Sequence, residues 1–114
     1  MESIEKLTQD KYRYSARYTD CLDRIIHKLN GVKILRLEYD NGYQGFVDVD
    51  VLLTDKRVFS YKYTYGSCSG CDEWESRDLS SSEIENEMLK EATLFSDEYS
   101  YKKWRELVES EGVV

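Results

Sequence analysis

Two neighbouring stretches alternate so strictly that they commit the chain to an antiparallel sheet. Val47, Val49 and Val51 are interleaved with Asp48 and Asp50, and Phe59, Tyr61, Tyr63 and Tyr65 with Ser60, Lys62 and Thr64. Successive side chains of a strand point to opposite faces, so each stretch carries one chemistry on each side. The turn-forming "TDKR" at 54–57 separates the two, and "DNG" at 40–42 separates them from an earlier β-rich run. Three strands follow: Val32–Tyr39, Gly45–Leu53 and Arg57–Tyr65. Same-face residues of antiparallel neighbours sit opposite one another. The valine row and at least part of the aromatic row are therefore expected on one face, beneath helices, with tyrosine hydroxyls reaching its rim. Asp48 and Asp50 fall on the other face, where paired acids read either as the wet side of a strand or as a metal-binding or acid/base pair.

Helical periodicity flanks this meander. Residues 11–29 repeat apolar positions at Tyr14, Tyr18, Leu22, Ile25, Ile26 and Leu29, and Asn30-Gly31 supplies a stop in which Gly31 can take the left-handed conformation. Residues 2–10 extend this helix or form a short one of their own. Ser82 with Glu85 makes a capping box for a second helix with Ile84, Met88, Leu89 and Ala92 on its inner stripe. Ser96 can cap a third, whose inward residues are Tyr101, Trp104, Leu107 and Val108. The expected class is α+β: one domain over residues 1–114, with a three-stranded antiparallel meander, an N-terminal helix and two C-terminal helices in the order α-β-β-β-α-α.

Charge and compartment narrow the function. The net charge is −7, and residues 67–114 hold thirteen acids against five bases, a bias that disfavours nucleic-acid binding through that part of the chain. Only "KYRYSARY" at 11–18, with Lys11, Arg13 and Arg17 among tyrosines, mixes charge and stacking as single-strand binders do. On a helix, however, the same residues make a core stripe and a solvated face. No run of residues is long and apolar enough for a membrane helix. "MESIEKLTQD" lacks a signal-peptide pattern. A cytoplasmic protein with free thiols is expected, and three cysteines cannot all pair within one chain.

The segment "YGSCSGCDEW", residues 65–74, sets the sharpest question. Structural zinc takes about four Cys or His ligands, and the chain owns Cys21, His27, Cys68 and Cys71. On a helix Cys21 and His27 point about 120° apart, so one ion reaches both with difficulty. A homodimer giving Cys68 and Cys71 from each subunit would complete a four-cysteine zinc site instead. Redox exchange is the second option, opposed by Asp72, Glu73 and Glu75, which raise a nearby thiol pKa, and by the absence of proline. The third is a glycine-hinged turn with the cysteines packed inward.

The same ten residues resemble a segment in small uncharacterised proteins of phages and other viruses. That resemblance implies an accessory protein made in an infected cell and acting in the host cytoplasm. The acidic set Asp72, Glu73, Glu75, Glu83, Glu85, Glu87 and Glu91 then reads in two ways. It is a DNA-like surface that occupies a basic groove on a host or defence protein, or a solvated helix with acids near its amino end. Catalytic machinery is not evident, since His27 has no nucleophile near it in sequence and "GSCSG" lacks the lysine of a phosphate loop. The leading expectation is a non-enzymatic protein that binds and inhibits a basic partner by charge mimicry and needs no cofactor. The alternative is a small zinc or thiol module centred on Cys68 and Cys71.

Overall fold

The computed structural model describes residues 1–8, 13–40, 45–65 and 79–111, apart from the side chains of 13–17 and 65. The chain is α+β. Helix α1 (Ile4–Thr8) and helix α2 (Arg13–Lys28) precede strands β1 (Gly31–Asp40), β2 (Gly45–Leu53) and β3 (Val58–Tyr65). Helix α3 (Ser81–Glu91), strand β4 (Thr93–Phe95) and helix α4 (Glu98–Glu111) complete the described elements. The four strands form one antiparallel sheet in the order β1-β2-β3-β4. Among the described residues no helix is long and apolar enough to cross a membrane.

Register fixes which side chains share a face. Val47, Val49 and Val51 lie opposite Tyr63, Tyr61 and Phe59, so the valine and aromatic rows form one surface, as the alternation predicts. All six side chains are buried. Tyr18, Cys21, Leu22, Ile25 and Ile26 of α2 cover that surface together with Ile84 and Met88 of α3. Burying a large aliphatic side chain contributes roughly 1.5–3 kcal/mol, which makes this layer the main source of stability. The tyrosine hydroxyls do reach the rim: Tyr63 shares a 2.8 Å hydrogen bond with Thr19, and Tyr61 donates to Glu91 at 3.0 Å. Burial first, and the Glu91 carboxylate second, push the Tyr61 phenol well above its ordinary pKa.

Several local expectations shift. Asn30, not Gly31, takes the left-handed conformation at φ 59°. Gly31 opens β1, where a Cβ would lie 2.6 Å from Ile26 Cγ2 and 3.0 Å from Val51 Cγ1. The capping box of α3 starts two residues earlier, with Ser80 Oγ accepting from Glu83 N–H at 3.2 Å and Glu83 accepting from Ser80 N–H at 3.2 Å. Leu89 is exposed and Glu85 turns inward. Helix α4 is capped by Asp97, which accepts from Ser100 N–H at 2.7 Å, not by Ser96. Strand β4 is a fourth strand that the periodicity did not reveal; it pairs Phe95, Leu94 and Thr93 with Val58, Phe59 and Ser60.

Helix α4 differs most. Of its four expected inward residues only Tyr101 is buried; Trp104, Leu107 and Val108 are exposed. The helix packs on the second face of the sheet, where Phe95 meets Tyr101 edge-on at 5.7 Å and Trp104 at 5.1 Å and where Val58 is fully buried. The sheet is therefore covered on both sides.

Tyr63→Ala is expected to cost ~3 kcal/mol or more in denaturant unfolding, because it empties a core position. Tyr63→Phe, which removes the hydroxyl that bonds Thr19, should cost about 1 kcal/mol. A negligible loss for the alanine variant would place the aromatic row outside the core.

Candidate functional site

The polar row of β2 is not a wet face. Asp50 is fully buried beneath α4. Its Oδ1 accepts from Ser60 Oγ at 2.6 Å; its Oδ2 accepts from Tyr101 OH at 2.6 Å, from Arg36 Nε at 2.8 Å and from Arg105 Nη2 at 3.3 Å. The fold delivers each donor. Arg36 and Ser60 lie directly opposite Asp50 on β1 and β3, while Tyr101 and Arg105 stand four apart on the inner side of α4, one helical turn from each other. Arg36 reaches further, with Nη2 on Asp48 Oδ1 at 2.6 Å and Nη1 on Glu38 Oε1 at 3.3 Å.

The surroundings of Asp50 argue against a metal-binding or acid/base role for its carboxylate. Burial alone would raise the Asp50 pKa, but hydrogen bonds from Ser60, Tyr101 and Arg36, with the charge of Arg36, outweigh it and hold the carboxyl below its ordinary value. Conversely, burial and the bond to Asp50 push the Tyr101 phenol up to about 12. Arg36 is displaced further upward, the two carboxylates overcoming the effect of burial. A carboxylate with both oxygens engaged by donors and two guanidiniums beside it is neither a general base nor a cation ligand. It is an anchor, and what it anchors is α4.

Held through Tyr101 and Arg105, α4 presents a ridge. Trp104, Leu107 and Val108 are 37%, 65% and 37% exposed, and their spacing of three and four aligns them along one side of the helix. Beyond Arg105 the helix carries Glu106, Glu109 and Glu111 and no base, and its last turn contains no cation. The negative end of the helix dipole is favoured by cations, and the last turn offers these acids none.

The acidic residues expected to face a partner are divided. Asp72, Glu73 and Glu75 lie outside the described residues, as do Cys68 and Cys71. On α3, Glu83 closes the capping box and Glu91 receives the Tyr61 hydroxyl. Glu87 stands 3.8 Å from Lys90. Glu85 is a correction: its side chain is buried and ion-paired with Lys28 at 3.2 Å and Arg24 at 3.6 Å, so it joins α3 to α2 and offers no free carboxylate. Among the basic residues proposed for nucleic acid, Lys11 and the side chains of Arg13 and Arg17 lie outside the described set. Cys21 is fully buried and its Sγ contacts Ser81 O and Arg24. Burial raises its thiol pKa against the opposing effect of Arg24, whereas His27 on the same helix is exposed. No group of three or more metal-ligating side chains occurs among the described residues.

Arg36, Ser60 and Arg105 were missed in the sequence. The signals that point to them are a base on the strand next to an acidic row and a Tyr-x-x-x-Arg pair in a later helix.

Asp50→Ala is expected to destabilise the protein by about 3–5 kcal/mol, because two arginines lose their buried counter-charge. Since the folded pKa of Asp50 is depressed, its stabilisation is complete above the ordinary carboxylate value near ~4 and is lost as pH falls through the folded one. Urea unfolding at neutral and acidic pH should show Asp50→Asn already weakened at neutrality and losing less than wild type on acidification. Equal acid sensitivity would remove Asp50 from the role of anchor. The chain matches no family model, no curated protein and no solved structure.

Proposed function

We propose that the protein acts by binding another protein, one whose apolar cleft is rimmed by lysine and arginine, through the carboxy-terminal half of α4. The observation that carries this reading is the helix itself. It is docked by a buried charge cluster at Tyr101 and Arg105, yet leaves Trp104, Leu107 and Val108 facing solvent. An apolar ridge at helical spacing is the form in which helix-in-groove recognition is made, and tryptophan is among the residues that most often dominate such contacts. The uncompensated Glu106, Glu109 and Glu111 choose the sign of the rim.

The viral resemblance of residues 65–74 makes a host or defence protein the natural class of partner. The acids of α3 contribute less to this reading than the helix pattern suggested, because Glu85 and Glu91 are engaged within the fold.

Immobilised protein incubated with host lysate at low and high salt tests the proposal. Wild type should retain a basic protein, and Leu107→Ser should reduce that retention tenfold or more. Changing Glu106, Glu109 and Glu111 together to Gln should weaken capture mainly at low salt, where charge is least screened. Both variants should keep wild-type stability to within about 0.5 kcal/mol, as surface changes do. Retention that is indifferent to the ridge but lost on Glu83→Gln would move the interface to α3, and no retention at all would overturn the reading.

A further inference from the structure

Strand β1 is the long outer strand of the sheet. Among the described residues its hydrogen-bonded neighbour is β2 alone, so one row of backbone N–H and C=O groups faces outward. None of its ten residues is buried, whereas β2 buries six of nine, although β1 holds Val32, Ile34, Leu35, Leu37 and Tyr39. Val32 is 50% and Tyr39 43% exposed. An apolar edge of this length is a template for another strand.

The residues of β1 say which strand fits. Its charges run in order, Lys33 and Arg36 first, then Glu38 and Asp40, a sequence complementary to itself when reversed. Antiparallel pairing of two copies about a two-fold axis keeps the faces of the sheet, so only same-face residues can oppose. In a regular strand such partners stand an even number of positions apart. The irregularity between Ile34 and Arg36 changes this. Ile34, Leu37 and Tyr39 share the face of Val51, Val49 and Val47, while Lys33, Arg36 and Glu38 share that of Leu52, Asp50 and Asp48. Residues an odd number apart then lie on one face across the break. A single register sets Lys33 against the second copy's Glu38, and Ile34 against its Leu37, each twice by symmetry.

We infer that β1 is a self-pairing edge through which two copies of this chain join antiparallel, extending two four-stranded sheets into one of eight strands. A bulge at an edge commonly deters pairing; here it aligns opposite charges and apolar side chains with themselves. A strand-to-strand contact falls below the ~1,200 Å² typical of tight complexes, so the dimer is weak and concentration-dependent.

Sedimentation velocity of the purified protein over a concentration series tests this without any other partner, and so separately from the α4 interface. Wild type should pass from monomer to dimer as concentration rises. Lys33→Glu or Glu38→Lys alone opposes like charges twice and should raise the dissociation constant about tenfold. The two changes together restore opposite charges and should return it toward the wild-type value. Thermal melts of the three variants identify any that fails to fold, and the remaining single variant then carries the comparison with wild type. A monomer at all concentrations, a dimer unmoved by the single changes, or a folded double variant that stays weakened would each overturn the proposal.

Discussion

Everything in this fold is arranged around β2, whose two rows of side chains hold two layers by different forces. On one side the valines meet the aromatic row of β3 and the apolar stripe of α2, an association driven by area removed from water. On the other, one carboxylate gathers a serine, a tyrosine and two arginines and fastens a helix to the sheet. The first layer tolerates exchange among hydrophobic shapes. The second does not, because removing the shared carboxylate leaves the partly buried Arg105 without its counter-charge and takes one from Arg36. The position of α4, and of whatever it presents, rests on Asp50.

That division explains why Leu107 and Val108 need no part in folding. A helix docked by apolar packing uses its own stripe for the purpose, and the stripe disappears from the surface. Here Tyr101, with Phe95 and Val58, supplies a small apolar contact and the charge cluster fixes the position. Trp104 packs its ring against Phe95, while Leu107 and Val108 are exposed.

The strands and α2 were legible because alternation of period two and recurrence near 3.6 residues report directly on which faces are buried. The pairing of Val47 with Tyr63 and of Val49 with Tyr61 follows from that pattern and the turn between them. What stayed hidden has physical causes. Strand β4 has three residues, too few for a period to show. Two Ser-x-x-Glu patterns overlap at the start of α3, and local chemistry cannot choose between Ser80 and Ser82. The choice falls to Glu85, which from the earlier start reaches Lys28 and Arg24. An acidic row looks the same whether water or an arginine-bearing helix lies over it, so Asp50 gave no sign of burial. The apolar spacing of Tyr101, Trp104, Leu107 and Val108 likewise marks a stripe without saying whether the sheet or the solvent receives it.

The sequence distance across the anchor bears on how the molecule is made. Tyr101 and Arg105 follow Asp50 by 51 and 55 residues, whereas Arg36 and Ser60 flank it closely. During synthesis β1, β2 and β3 can pair before α4 has been made, leaving Asp50 with its strand neighbours and water on the remaining side. Docking of α4 is then a late event that expels that water and converts a solvated acid into a buried one. A segment translated well after the strands thus seals the face on which the carboxylate stands, and a nascent chain interrupted before residue 101 exposes an aspartate that the folded protein hides.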